Sequence, residues 1–178
     1  MSLTELWELF PIVLVPYNPH WKEIAKEEIV TLAEILEGQL IAIHHIGSTA
    51  IPGIWAKPII DIIVEVKSAS ELDFIKERLI QHGYICMATS PNRLCFNKGY
   101  TPKGFADKVV HIHLRLNGDT DEILFRDYLI SHPEVAKEYE ELKLSLWKSF
   151  EHYRDGYTQA KTAFVNHYTT LAKQELKN

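Results

Sequence analysis

The sequence predicts an α/β (α+β) fold, with a mixed sheet built from the middle of the chain and a helical C-terminal third packed on it. Three observations lead there. Apolar runs of strand length, rich in β-branched residues, stand at Leu40–Ile46, Ile59–Val66 and Val109–Leu116. Segments with apolar residues at helical spacing surround them, and beyond Gly118 only helical spacing is left. With 178 residues, 46% hydrophobic and 24% charged, the chain can bury one sizeable core. No linker or repeat divides it, so residues 1–178 are expected to form a single domain.

Taken in order, Ile12–Val15 is a short β-branched run. Asn18 is then placed to cap a helix whose first turn suits Pro19, and Trp21, Ile24, Ala25, Leu32, Ile35 and Leu36 carry it to Gly38. Leu40–Ile46 reads as a strand, residues 47–58 as a loop with two Gly and two Pro, and Ile59–Val66 as a buried strand. Ser68 and Glu71 make a capping box for a helix bearing Leu72, Ile75 and Leu79, which Gly83 stops. Short strands at Tyr84–Ala88 and Arg93–Asn97 flank the turn Ser90-Pro91-Asn92. Residues 97–108 hold two Gly, one Pro and three Lys, and read as an exposed, mobile loop able to close over a ligand. Val109–Leu116 is a strand ended by Asn117-Gly118. Thr120 caps a helix to Ile130, Pro133 opens a second bearing Val135, Tyr139, Leu142, Leu146 and Phe150, and Gly156 separates a third that reaches Ala172.

Charge and composition narrow the function classes. Lys and Arg total 19 against 24 Asp and Glu, a net charge of -5 that leaves no basic excess for a nucleic-acid backbone. No apolar run approaches the ~20 residues that span a bilayer, and the opening Met1-Ser2-Leu3-Thr4-Glu5 lacks the basic-then-apolar order of a secretory signal. A cytoplasmic protein with no membrane partner is expected. Cys86 and Cys95 have no metal or redox spacing, so free thiols are expected.

The segment richest in chemistry runs from His44 to Asp61. A strand leads directly into Gly47-Ser48-Thr49, where successive backbone N–H groups and two hydroxyls can converge on an anion, with Lys57 as a point charge for phosphate. On spacing alone, an ordinary Gly-Ser turn capping one helical turn is the favoured reading.

Longer blocks add to this. Val15-Pro16-Tyr17-Asn18-Pro19-His20-Trp21, His45-Ile46-Gly47-Ser48-Thr49-Ala50-Ile51-Pro52-Gly53, Ala56-Lys57-Pro58-Ile59-Ile60-Asp61, Val110-His111-Ile112-His113-Leu114, Phe125-Arg126-Asp127-Tyr128-Leu129 and Tyr157-Thr158-Gln159-Ala160-Lys161 together resemble the GrpB family over nearly the whole chain. That family is assigned to the nucleotidyltransferase superfamily. The resemblance implies a nucleotidyltransferase-like sheet flanked by helices, in which Gly47 and Ser48 match the Gly-Ser that holds a triphosphate. Asp61 matches the first carboxylate of a D-x-D pair on the following strand. Such pairs share two Mg²⁺ ions, ~3.5–4 Å apart, with the phosphates.

The second carboxylate position is occupied by Ile63. Glu65 faces the same side as Asp61, but four residues of strand set their Cα atoms ~13 Å apart. The neighbouring strand expected to supply a further carboxylate has His111 and His113 instead, both on one face. If the strand order follows the superfamily, Asp61, His111 and His113 line one pocket with His45 at its edge, a set closer to transition-metal than to Mg²⁺ ligation. The alternative is a pair of hydrogen-bonded structural histidines. An Asp61 buried among isoleucines needs a partner or a metal in either case. Lys57, Arg93, Arg126, Lys143 and Lys161 are phosphate-binding candidates, although in an acidic protein each taken singly is more often a surface charge or an ion-pair partner, and Arg126 either reaches the site or fixes a helix to the sheet.

Two functions remain open. One is a nucleotidyltransferase-like enzyme that moves a nucleoside monophosphate from a nucleotide to a hydroxyl of a small molecule or protein, using Mg²⁺ or another divalent ion at Asp61. The other is a non-catalytic module that binds a nucleotide or another phosphorylated small molecule on the same fold. A metal-dependent hydrolase built on Asp61 and the histidines is a third reading, and no protein partner is named by the sequence.

Overall fold

The structure, a computed structural model, describes residues 2–177. Its organising element is the strand β2 (Ile60–Val66), whose side chains alternate between two faces of the sheet. Ile60, Ile62, Val64 and Val66 enter one core, while Asp61, Ile63 and Glu65 point to the opposite face. β1 (Leu40–Ile46) pairs antiparallel with β2 on one side, and β5 (Gly104–Leu116) pairs parallel with it on the other. β4 (Arg93–Thr101) and β3 (Ile85–Thr89) continue the sheet antiparallel, giving the order β1-β2-β5-β4-β3. The expected mixed sheet is therefore present, with its parallel pair at the centre.

One face of the sheet is covered by α2 (His20–Ile35) and α3 (Leu72–Gln81). Trp21, Leu32 and Leu36, with Leu72, Ile75 and Leu79, pack on Ile62, Val64, Phe96, Ile112 and Leu114. Each such side chain contributes about 1.5–3 kcal/mol on burial, so this face holds the sheet rigid. On the other side, α4 (Asp121–Ser131), α5 (Pro133–Trp147) and α6 (Arg154–Glu175) form their own apolar cluster, in which Phe125, Leu129, Val135, Ala136 and Tyr139 enclose Ile51 and Ile54 of the 47–58 loop. The loop is thereby clamped between the helical third and the end of β1. The polar face of β2 and β5 is left looking into the space between sheet and helices.

Three features differ from the sequence expectation. Residues 97–108 do not form a mobile loop, because β4 and β5 run on as one hairpin with Tyr100 opposite Phe105 and Thr101 opposite Gly104. The Gly and Pro residues sit at a bulge and at the tip. Phe10, distant in sequence, packs its ring 4.8 Å from Tyr100 and 5.0 Å from Phe105. Gly156 does not separate helices. It is buried in the first turn of α6, where a Cβ would stand 2.4 Å from the Tyr153 ring and 2.8 Å from that of Phe150, so its role is space. A short helix α1 (Leu3–Leu9), closed by a Ser2–Glu5 capping box, precedes the region in which helical spacing was read. Among the described residues, no helix is long and apolar enough to cross a membrane.

Candidate functional site

Register brings the chemistry together. Ile46, the last residue of β1, lies opposite Asp61, and Asp61 lies beside His111 in the parallel pair, with His113 beside Ile63. Immediately after Ile46 the chain turns at Gly47 with φ +74 and ψ -175 and enters a 3₁₀ turn over Ser48–Ala50. This backbone conformation is almost exclusive to glycine. A Cβ at Gly47 would stand 2.7 Å from Asp61 Oδ2, so the missing side chain lets the loop rest directly against the carboxylate.

The two histidines face the same oxygen. His113 Nε2 is 3.0 Å and His111 Nδ1 3.5 Å from Asp61 Oδ1. Their outer nitrogens are engaged as well. Cys95 Sγ, from β4, lies 3.8 Å from His113 Nδ1, and Tyr100 Oη lies 2.8 Å from His111 Nε2 while accepting a hydrogen bond from Arg154 at 2.7 Å. Burial pushes the Asp61 carboxyl up, but the hydrogen bonds and charges of His111 and His113 outweigh it and hold the group far below the usual carboxylate range. Burial pushes His113 down, and its hydrogen bonds to Asp61 and Cys95 reverse this, raising it to about 9. The bond to His113 lowers the Cys95 thiol against the effect of burial.

Next to Asp61 a cavity of about 150 Å³ is lined by Gly47, Ser48, Lys57, Lys143 and Lys161, with Tyr139 and Tyr157 as walls. Lys57 Nζ and Lys161 Nζ lie 5.5 and 4.3 Å from the centre of the Tyr157 ring, and Lys143 Nζ lies 4.8 Å from that of Tyr139. Lys143 is only 2% exposed. It donates to the Trp55 carbonyl at 2.5 Å, while the Trp55 N–H donates to Glu140 at 2.7 Å, and these two bonds tie the loop to α5. Burial, reinforced by Lys161 and Lys57 and opposed by Glu140, lowers Lys143 to about 7. Burial, Lys161 and Arg154 lower Lys57 to about 7 against the pull of Asp61. Three lysine side chains thus meet at one small cavity beside Asp61. A second cavity, of about 390 Å³, opens on the other side of Asp61 between Gly47, Ser48, His113, Phe125 and Asn166.

The remaining candidates lie elsewhere. Thr49 donates its hydroxyl to the Ile59 carbonyl at 3.0 Å and meets His45 Nε2 at 2.9 Å, so that hydroxyl is committed to holding the loop. His45, expected at the pocket edge, instead lines the groove between α2, β1 and α4. Burial holds it at about 4, against Asp61 and with help from Arg126 and Lys22. Arg126 donates to the His45 carbonyl at 2.7 Å and to Asp127 at 2.8 Å. It fixes α4 to the sheet and stands apart from Asp61. Arg93 borders the larger cavity with its guanidinium held by Asp119 through two bonds of 2.7 Å. Cys95, Tyr100 and Arg154 are site neighbours that no sequence spacing marked, while Tyr139 reads in the sequence only as a helix core residue and Tyr157 only as part of a family-like block.

The paired Mg²⁺ ions that the fold implies do not fit these residues. Ile63 is 0% exposed at the second carboxylate position, and Glu65, 8% exposed, pairs with His44 at 3.4 Å. Among the described residues, the one group of three or more metal-ligating side chains is Asp61, His111 and His113.

The architecture has counterparts in known proteins. The chain is 34% identical to the UPF0157 protein YqkA of Bacillus subtilis (strain 168) over 97% of its own length, and it spans 51% of that protein. It superposes on the crystal structure of conserved protein GrpB from Enterococcus faecalis with TM-score 0.80 and 31% identity, covering 93% of this chain and 100% of that one. The crystal structure of the Cid1 poly(U) polymerase shares the fold at TM-score 0.50 and 15% identity, over 80% of this chain and 43% of that one. Residues 11–170 match the family described as GrpB protein, and the chain belongs to the GrpB family.

Proposed function

We propose that the protein binds the phosphates of a nucleotide against Gly47 and Ser48 and transfers a nucleoside monophosphate to a hydroxyl of a small molecule or protein. The observation that carries this reading is the contact between the Gly47 turn and Asp61, with Lys57, Lys143 and Lys161 on the far wall of the same small cavity. In this reading the Ser48 and Thr49 backbone N–H groups and the Ser48 hydroxyl donate to phosphate oxygens, and the lysines neutralise them. Asp61, kept ionised, lies between this cavity and the larger one, which has room for an acceptor. No step is routed through a Mg²⁺ pair, since its second carboxylate is missing.

A second reading, a binding module without turnover, is favoured by the buried Ile63. Both readings predict phosphate binding, and they part at catalysis. Pyrophosphate release, followed with each of the four nucleoside triphosphates and a panel of hydroxyl acceptors, is expected in the natural protein and is expected to fall by at least ~100-fold in Asp61→Ala. Nucleotide binding without any release would establish the module and sink the transferase.

A further inference from the structure

We propose that Asp61, His111 and His113 bind a single first-row transition-metal ion in place of the Mg²⁺ pair of the nucleotidyltransferase fold. The proposal deepens the reading above, in which Asp61 faces the phosphates, but it stands on the geometry of the sheet.

Three donors held about 2.0–2.2 Å from one ion must themselves lie roughly 3–3.5 Å apart at tetrahedral or octahedral angles. Asp61 Oδ1 lies 3.0 Å from His113 Nε2 and 3.5 Å from His111 Nδ1, and the three ligand atoms are all within 4.8 Å of one another. All three come from adjacent central strands whose register is fixed by the parallel ladder. The site is thus preset by backbone and needs no loop to close.

The outer contacts have the form that metal-bound histidines require. An imidazole that ligates through one nitrogen needs its other N–H oriented by a partner, which sets the tautomer and the ring angle. His113 has Cys95 Sγ at its outer nitrogen, and His111 has Tyr100 Oη, itself anchored by Arg154. Both rings present their inner nitrogens to the same carboxylate oxygen.

The donor set decides the ion. Mg²⁺ prefers an all-oxygen shell of one or two carboxylates, phosphates and waters. Two imidazoles and one carboxylate suit a transition ion with open coordination positions. A second ion lacks the carboxylate that the fold places on β2, because Ile63 is buried at that position and Glu65 pairs with His44 at 3.4 Å. The open positions of a single ion would face the cavities that Asp61 borders, where a phosphate oxygen or water completes the sphere.

The test uses metal-free protein and Co²⁺ alone, followed by visible absorption, with bound metal counted after dialysis. One ion per chain is expected, with a ligand-field spectrum that a ~100-fold excess of Mg²⁺ does not remove. His111→Ala and His113→Ala are expected to abolish binding. Should either fail to fold, Cys95→Ala and Tyr100→Phe leave the ligands in place and are expected to weaken Co²⁺ by ~10–100-fold with an altered spectrum. Absence of bound Co²⁺, two ions per chain, equal displacement by Mg²⁺, a cobalt–thiolate band from Cys95, or indifference to all four substitutions would each overturn the assignment. Nucleotide is left out throughout, so a failure here is distinct from a failure of phosphate binding.

Discussion

Gly47 shows how much a single residue governs at this site. Its backbone conformation excludes other residues, and the space a side chain needs is filled by Asp61 Oδ2 at 2.7 Å. Gly47→Ala is therefore expected to lower stability by ~1–3 kcal/mol in urea unfolding and to displace the Asp61 carboxylate. Lys143 supplies a pH signature. Its pKa in the folded chain is about 7, below the ordinary 10.5. Below pH 7 both folded and unfolded chains carry the proton, and the cost of burying the charge is present in full. Between about 7 and 10.5 the unfolded chain holds a proton that the folded chain lacks, so the Lys143 contribution makes stability rise with pH. Unfolding titrations across that range should show a steeper rise in the natural protein than in Lys143→Met, and identical slopes would refute the assignment. At this scale Asp61 and the Gly47-Ser48 turn stood out in the sequence, since a carboxylate between two isoleucine pairs demands a partner. Cys95 and Tyr100 did not, because their contacts depend on the register of β4 against β5, which alternation alone leaves undetermined.

Among the elements, the strands with continuous β-branched runs and the capped helices were legible because pattern and cap agree. The hairpin of β4 and β5 was not. Its Gly, Pro and Lys content resembles a loop, and the residues that make it a strand pair, Tyr100 and Phe105, are secured by Phe10 from a distant part of the chain. Gly99 is the key to its shape. It adopts φ +92 at an irregularity in the ladder, and a Cβ there would stand 2.1 Å from the Lys108 carbonyl oxygen. Gly99→Ala is expected to cost at least ~1–3 kcal/mol by thermal or urea unfolding, and since the bulge sets where Tyr100 meets His111, it should also disturb that pair. A variant as stable as the natural protein would mean that the hairpin is not held as described.

For the molecule as a whole, net charge conceals a local cluster of lysines. The chain carries -5 overall, yet Lys57, Lys143 and Lys161, from the loop and two separate helices, gather in one cavity. The acidic balance speaks against a long nucleic-acid partner, and local convergence suits a small anion. No sequence window reveals such convergence, because it depends on how α5 and α6 pack against the 47–58 loop. A bound phosphate favours the charged lysines, so nucleotide binding near pH 8 is expected to take up protons and to weaken as pH rises further. Calorimetry in two buffers of different ionisation enthalpy measures that uptake, and equal heats in both buffers would speak against it.

The most direct test of the phosphate site is thermal unfolding of the natural protein, Ser48→Ala and Lys161→Ala with each nucleoside triphosphate, in the presence and absence of divalent metal. At ~100 times its dissociation constant, a nucleotide bound at Gly47-Ser48 should stabilise the natural protein by ~2.7 kcal/mol, and both substitutions should remove most of that shift. No stabilisation by any nucleotide, or a shift that survives both substitutions, would contradict the assignment of this cavity to phosphate.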